Sequence, residues 1–153
     1  MNPIEIMQSQ NVGDTEQIGA MLAHAFLNDS SIPPFIALYG DLGVGKTAFV
    51  RGFASVISPT APVRSPTFAL VNEYRSKVRP LFHFDMYRID SEDDLISIGF
   101  YDYLDRHGIC LVEWSEKIGY ALPESYVRVT IEKISPDFPD QRRITIEQIG
   151  DNT

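Results

Sequence analysis

The chain has 153 residues, of which 44% are hydrophobic and 22% are charged, a composition typical of a soluble globular protein. Thirteen basic and twenty-one acidic residues give a net charge of −8, which argues against a protein that holds RNA or DNA through its own phosphate contacts. The length predicts one domain, residues 1–153, with enough chain to bury a single core.

Cys110 is the only cysteine, so an internal disulfide is excluded and a reducing compartment is the expected setting. Its apolar neighbours predict a buried strand thiol rather than a nucleophile. No apolar run approaches the roughly 18 residues that span a membrane. No secretory signal is evident either, so we expect a cytoplasmic protein with no membrane partner.

The first third of the chain predicts strand, helix and strand. Residues 3–10 alternate as in an edge strand, and residues 14–16 offer capping chemistry for a helix whose apolar face includes Ile18, Met21 and Leu22. Two prolines end the polar stretch 28–34. The apolar run 35–39 that follows predicts a buried parallel strand.

The next segment fits the phosphate-binding pattern G-x-x-x-x-G-K-[ST] at every fixed position. Its glycines allow the backbone N–H groups to turn inward around an anion, and the helix predicted over residues 48–57 adds its positive dipole end. The lysine can reach the outer phosphates, and the threonine hydroxyl can bind Mg²⁺. The predicted nucleoside triphosphate site comprises Gly40, Asp41, Leu42, Gly43, Val44, Gly45, Lys46 and Thr47.

The remaining elements predict a mixed sheet. Strands over residues 69–74 and 81–88 are too close for a helical crossover and therefore predict a hairpin. Ser91 is a candidate cap for a following helix, and a second short helix is expected over residues 101–106. An apolar strand follows over residues 109–114, and residues 126–134 and 143–149 alternate as in an antiparallel pair.

Two acids end apolar strands, where a carboxylate could hold the magnesium shell of a bound nucleotide. Asp85 ends the first of these strands and Glu113 the second. The carboxyl ends of parallel strands beside the loop strand would face the nucleotide, although either acid could instead be an ordinary strand-end charge. Thr67, in a Ser-Pro-Thr turn, is either a nucleotide-sensing hydroxyl or a plain cap.

Three further side chains leave alternatives open. His83 could relay a proton, but a histidine between phenylalanines is more often structural. Arg88 could contact phosphate or pair with an acid, and Trp114 could pack in the core or contact the site, with core packing favoured. No Asn-Lys-x-Asp guanine-reading pattern occurs, so ATP is favoured over GTP, and little chain remains for a kinase's acceptor site.

The sequence resembles the bacterial TsaE (YjeE) family in four segments that occur in this order: the phosphate loop, Ser65-Pro66-Thr67-Phe68, His83-Phe84-Asp85-Met86-Tyr87-Arg88 and Val112-Glu113-Trp114. The resemblance covers nearly the whole chain. It implies a phosphate-loop α/β domain with a mixed sheet, in three layers, that binds ATP or ADP with Mg²⁺. The family comprises small ATPases required for the threonylcarbamoyladenosine modification of tRNA.

The resemblance also implies partners and roles. TsaD and TsaB homologues would carry out the transfer to tRNA, so that this chain meets tRNA only indirectly and DNA not at all. Thr47, Asp85 and Glu113 would hold the metal, and Asp85, Glu113 and Thr67 would serve hydrolysis. ATP turnover would then reset or activate the TsaB–TsaD complex. The alternative is a nucleotide-dependent assembly or switch factor in which binding, rather than hydrolysis, matters.

Overall fold

A computed structural model describes residues 4–150. Its elements, in chain order, are β1 (Ile4–Ser9), α1 (Val12–Asn28), β2 (Phe35–Tyr39), α2 (Lys46–Ile57), β3 (Val71–Tyr74), β4 (Leu81–Asp85), α3 (Glu92–Ser97), α4 (Phe100–Leu104), β5 (Ile109–Glu113), a 3-10 helix (Ser115–Ala121), β6 (Tyr126–Ser135) and β7 (Phe138–Ile149).

The strands form one seven-stranded sheet in the order β1-β7-β6-β2-β5-β4-β3. Strand β2 runs parallel to β5 and to β6, and β4 runs parallel to β5. The pairs β1–β7, β6–β7 and β3–β4 are antiparallel. The predicted mixed α/β fold is therefore confirmed, and so is the hairpin between β3 and β4.

Helices cover the central strands on both faces, which explains why β2, β4 and β5 read as continuous apolar runs. One core joins side chains of α1 and α2 to alternate strand residues such as Leu38 and Leu111. The other core joins α3 and α4 to the intervening residues, such as Phe84 and Val112. This arrangement gives the three layers that the sequence predicted.

Two glycines let α1 and α2 pack backbone against backbone. A Cβ atom added at Gly52 would lie 1.8 Å from the carbonyl oxygen of Glu16, and one added at Gly19 would lie 2.2 Å from that of Phe49. Any side chain at either position would push the helices apart. This contact fixes the position of α2, and with it the phosphate loop at the helix N-terminus.

Several element boundaries differ from the sequence expectations for local reasons. Asn11, not residues 14–16, caps α1, by accepting a hydrogen bond from the Asp14 amide. Strand β4 ends at Asp85 instead of residue 88, because the Asp85 carboxylate accepts the Tyr87 amide in a turn. Met21, predicted on the buried face of α1, is 55% exposed.

Strand β7 begins at Phe138 rather than at residue 143. Its first residues are exposed and mostly polar, so they do not show the alternation of a strand. Strand β1 is the predicted edge strand, although Pro3, the first residue of that prediction, lies outside the described part of the chain. Within residues 4–150, no helix has the length and apolarity needed to cross a membrane.

Candidate functional site

The phosphate loop connects the buried strand β2 to α2, as the motif requires. Gly40, Gly43 and Gly45 have φ angles of 147°, 78° and 112°, in the region that side chains rarely adopt. At Gly40 an added Cβ atom would also lie 2.6 Å from the carbonyl oxygen of Ile131. Glycine is therefore required at residue 40 for two reasons, the backbone angle and the lack of space for a side chain.

The N-terminus of α2 receives no side-chain cap. Its cap residue, Gly45, offers no hydrogen-bonding side chain, so the first backbone N–H groups of the helix have no side-chain acceptor there. Those groups and the helix dipole favour an anion, and the loop geometry supplies the surrounding cradle. The loop and helix together form an anion site on an otherwise acidic protein.

Lys46 lies against the loop and is only 5% exposed. Its Nζ donates hydrogen bonds to the carbonyl oxygens of Gly40 and, at 3.1 Å, of Asp41. The same ammonium lies 3.9 Å from the centroid of the Trp114 ring, a cation–π contact. Burial lowers the pKa of Lys46, while neighbouring carboxylates, Glu116 first among them, act in the opposite direction.

Glu113 lies at the carboxyl end of β5, opposite the start of α2. The Thr47 hydroxyl donates to its carboxylate, with Oγ1 2.9 Å from Oε2 and 3.1 Å from Oε1. On its other side, Nε2 of His83 lies 2.5 Å from Oε2. The carboxylate is thus held between α2 and β4 and is 4% exposed as a residue.

Asp85 occupies the equivalent position at the end of β4, paired in register with Glu113. Its Oδ2 accepts a hydrogen bond from the Thr67 hydroxyl at 3.1 Å, and Thr67 in turn lies 2.6 Å from the Ser65 hydroxyl. The loop that precedes β3 is therefore attached to a strand-end acid. Strand-end position predicted the two acids at this edge of the sheet, whereas for Thr67 the sequence left a nucleotide-sensing hydroxyl and a plain cap as alternatives.

These side chains surround one cavity of about 260 Å³, lined by Leu42, Gly43, Val44, Gly45, Lys46, Thr47, Ala48, Ser65, Thr67, Asp85, Glu113 and Trp114. The cavity brings together all the predicted site residues except Gly40 and Asp41, whose carbonyl oxygens accept hydrogen bonds from Lys46. A hydroxyl and two carboxylates are hard oxygen donors and fit Mg²⁺. Residues 4–150 contain no cluster of three or more His, Cys, Asp or Glu side chains that could hold a metal ion.

A second cavity, of about 390 Å³, adjoins the first and shares Gly43, Val44, Gly45 and Ala48 with it. Its other wall comes from the start of α1, at Asn11 to Gly13 and Thr15, and from Asp140 and Arg142 of β7. None of these residues was among the predicted site residues. Arg142 donates from Nε to the Val44 carbonyl oxygen at 2.8 Å, a contact between residues too distant in the chain for any local pattern to reveal.

The structure also locates the aromatic and basic residues near the cavity for which alternatives were left open. Trp114 does both things that were considered: it packs against the core cluster of Phe84 and Val112, and its ring also faces Lys46 and lies 4.9 Å from the Tyr87 ring at the cavity wall. Arg88 stacks over Phe68, with its guanidinium carbon 4.8 Å from the ring centroid. Cys110 is buried as predicted.

Comparison with known proteins gives a consistent answer. The family model described as threonylcarbamoyl adenosine biosynthesis protein TsaE matches residues 9–144. A tRNA threonylcarbamoyladenosine biosynthesis protein TsaE from Bacillus subtilis is 37% identical over 140 residues, which cover 92% of this chain and 83% of that protein. Its namesake from Haemophilus influenzae is 42% identical over 97 residues, which cover 63% of this chain and 61% of that protein.

A solved structure is similar over almost the whole fold. The crystal structure of YdiB from Bacillus subtilis superposes with a TM-score of 0.76 at 30% sequence identity, covering 99% of this chain and 89% of that one. The likeness therefore extends to the full seven-stranded sheet and the elements on both of its faces.

Proposed function

The chain belongs to the TsaE family of threonylcarbamoyladenosine biosynthesis proteins, and from this membership we propose that it binds and hydrolyses ATP within the machinery that forms N6-threonylcarbamoyladenosine in tRNA. The observation that carries the proposal is the pair of strand-end carboxylates facing the phosphate loop. Glu113 is bonded to Thr47 of α2, and Asp85 to Thr67 of the neighbouring loop. A loop that only bound phosphate would need neither acid.

The two adjoining cavities suit the two ends of a nucleotide. The phosphates would lie along the loop beside Lys46 and Thr47, and the base and ribose would extend past Gly45 toward Asn11 and Arg142. We place the phosphates and the base in this order because the two cavities share residues of the phosphate loop and the first turn of α2. A chain of phosphates can pass from one cavity to the other there. ATP and its product ADP are the proposed occupants.

Mg²⁺ would be held by the Thr47 hydroxyl with Glu113 and Asp85, and would neutralise charge on the outer phosphates. The chain's own residues then position the reaction. Lys46 binds the phosphate oxygens as a point charge, and the two carboxylates accept hydrogen bonds from the waters around the terminal phosphate. The buried setting of Glu113 favours a fixed orientation over a freely rotating one.

The Thr67 loop is the proposed link between the nucleotide and a partner. Its neighbour Phe68 is 84% exposed, and Tyr87, two residues after Asp85, is 52% exposed. A change at the Asp85–Thr67 hydrogen bond would therefore move large exposed side chains. The proposed partners are TsaD and TsaB homologues in the cytoplasm, with tRNA reached only through them because this chain is acidic.

A reconstituted tRNA modification reaction tests this function. The chain would be combined with TsaD and TsaB homologues, tRNA and the threonylcarbamoyl donor, with either ATP or a non-hydrolysable ATP analogue. We expect many rounds of modification with ATP and arrest after the first round with the analogue. Sustained modification with the analogue would favour the assembly or switch factor, and no dependence on this chain under either condition would contradict both functions.

A further inference from the structure

His83 is fully buried in the middle of β4 and contacts the same acid as the phosphate-loop threonine. It pairs in register with Leu111, one alternate position before the Asp85–Glu113 pair, so its side chain shares the α2 face of the sheet with Glu113. Nε2 lies 2.5 Å from Glu113 Oε2, the oxygen that also accepts the nearer Thr47 hydrogen bond. Glu113 is therefore clamped from both sides.

The other ring nitrogen identifies the form of the imidazole. Among the described residues, Nδ1 of His83 is the buried side-chain polar atom that has no hydrogen-bond partner. A proton on Nδ1 would be a buried donor without an acceptor, which is costly, whereas a bare Nδ1 leaves only a lone pair unmatched. Of the two tautomers of the ring, this cost disfavours the one whose single proton is on Nδ1 and leaves Nε2 as the donor that faces Glu113.

We propose that His83 is a positioning residue, which donates its Nε2 proton to Glu113 and holds that carboxylate against Thr47 in the orientation that the hydrolytic site uses. The inference rests on the proposed ATPase function. The carboxylate of Asp85 is held differently, by the Thr67 hydroxyl and the Tyr87 amide. Glu113 is thus oriented by a side chain from a buried strand, whereas Asp85 is oriented by groups from loops.

Three substitutions separate positioning from packing. His83→Leu fills the space but removes the donor. His83→Gln places an amide nitrogen near the position of Nε2, whereas His83→Asn places its amide nitrogen nearer Nδ1. Loss of a partner that orients a metal-binding carboxylate typically lowers activity roughly 10- to 100-fold. We expect that loss in the Leu and Asn variants, substantial recovery in the Gln variant, and ADP affinity close to that of the wild type in all three.

Thermal unfolding of each variant establishes that it is folded, and nitrogen NMR of the labelled full-length chain reads the ring directly. The resonances of His83 are those that vanish in His83→Gln, while the exposed His24 and His107 remain. We expect a proton on Nε2. A bare Nε2 would overturn the proposal, and so would wild-type ATP turnover in a folded His83→Leu variant.

Failure of the proposed function gives a different pattern. If the wild-type chain binds ADP but releases no phosphate from ATP, even with its partners, the proposed hydrolysis fails. The ring nitrogens and the ADP affinities of the variants then decide on His83 alone: a bare Nε2, or a large loss of ADP affinity in His83→Gln, would refute its role as a donor to Glu113.

Discussion

The ammonium group of Lys46 lies where three parts of the chain meet. It bonds to carbonyl oxygens of the phosphate loop and lies over the ring of Trp114, which itself has a left-handed backbone with φ 59°. That backbone turns the chain immediately after Glu113 and brings the ring back over the loop. A single residue after β5 thus connects the acid to the lysine that is proposed to bind phosphate.

Lys46→Ala is expected to lower ADP affinity roughly 100-fold or more, because each hydrogen bond to a charged group contributes about 1.5–3 kcal/mol and the ammonium can make more than one. Isothermal titration calorimetry with Mg²⁺ present measures the change. Lys77→Ala is the matched control, since Lys77 is exposed in the turn before β4, at the end of the sheet opposite Asp85. Equal affinities in the two variants would refute the assignment of Lys46.

The sequence predicted those candidate site residues that belong to short, recognisable segments. The phosphate loop is a contiguous motif, and Asp85 and Glu113 end recognisable apolar strands. The His83–Glu113 and Arg142–Val44 contacts could not be predicted, because each joins residues 30 or 98 positions apart through the register of the folded sheet. The strand patterns of β4 and β7 show no sign of these partners.

At the scale of elements, the junction of α1 with α2 determines where the phosphate loop lies. Gly19 and Gly52 allow the two backbones to touch, and Asn11 caps α1 beside the cavity proposed for the base. The same helix pair therefore supports both halves of the proposed nucleotide site. Sequence periodicity predicted both helices, but the closeness of their approach follows from glycines that could equally have been surface positions.

Gly52→Ala is expected to destabilise the protein by at least about 2 kcal/mol, since overpacking against a backbone atom outweighs the gain of up to about 1 kcal/mol in helix propensity. Urea unfolding followed by circular dichroism measures the difference. Gly119→Ala is the control, because an added Cβ atom there meets nothing within 4 Å. A stability change of less than about 0.5 kcal/mol is expected for that variant. Equal stability of both variants would contradict the close packing of α1 on α2.

At the scale of the whole molecule, the central strands bury a thiol that reports on global unfolding. Cys110 is 3% exposed, and burial raises its pKa to about 12. Because the unfolded thiol ionises near its ordinary pKa of 9.0 and the folded one only near 12, raising the pH between those values favours unfolding.

We therefore expect an aromatic disulfide reagent at pH 8 to modify Cys110 only when the sheet opens. The time course of absorbance in buffer should be slow, and it should accelerate steeply through the urea unfolding transition. Rapid, complete modification in buffer without loss of secondary structure would show that the thiol is accessible in the folded chain.

The sheet also provides a route that would link the proposed hydrolysis to the proposed partners. Two parallel strands end in the acids, β5 next to β2 and β4 beyond it, and the antiparallel strand β3 follows the loop whose Thr67 bonds to the acid of β4. A mixed sheet was predictable from the short connection between β3 and β4. Its order was not, because the pairing of β6 with β2 depends on contacts between segments far apart in the sequence.

The most direct test of the account compares phosphate release from ATP by the wild-type chain and by Glu113→Gln, each with Mg²⁺ and with the TsaD and TsaB homologues present. Glutamine keeps the shape of the side chain but loses the charge that faces Thr47. We expect ATP affinity to stay close to that of the wild type and phosphate release to fall by roughly 100-fold or more, the scale of loss typical when a catalytic carboxylate is removed. Wild-type phosphate release by Glu113→Gln would contradict the central claim that this strand-end acid serves hydrolysis at the phosphate loop.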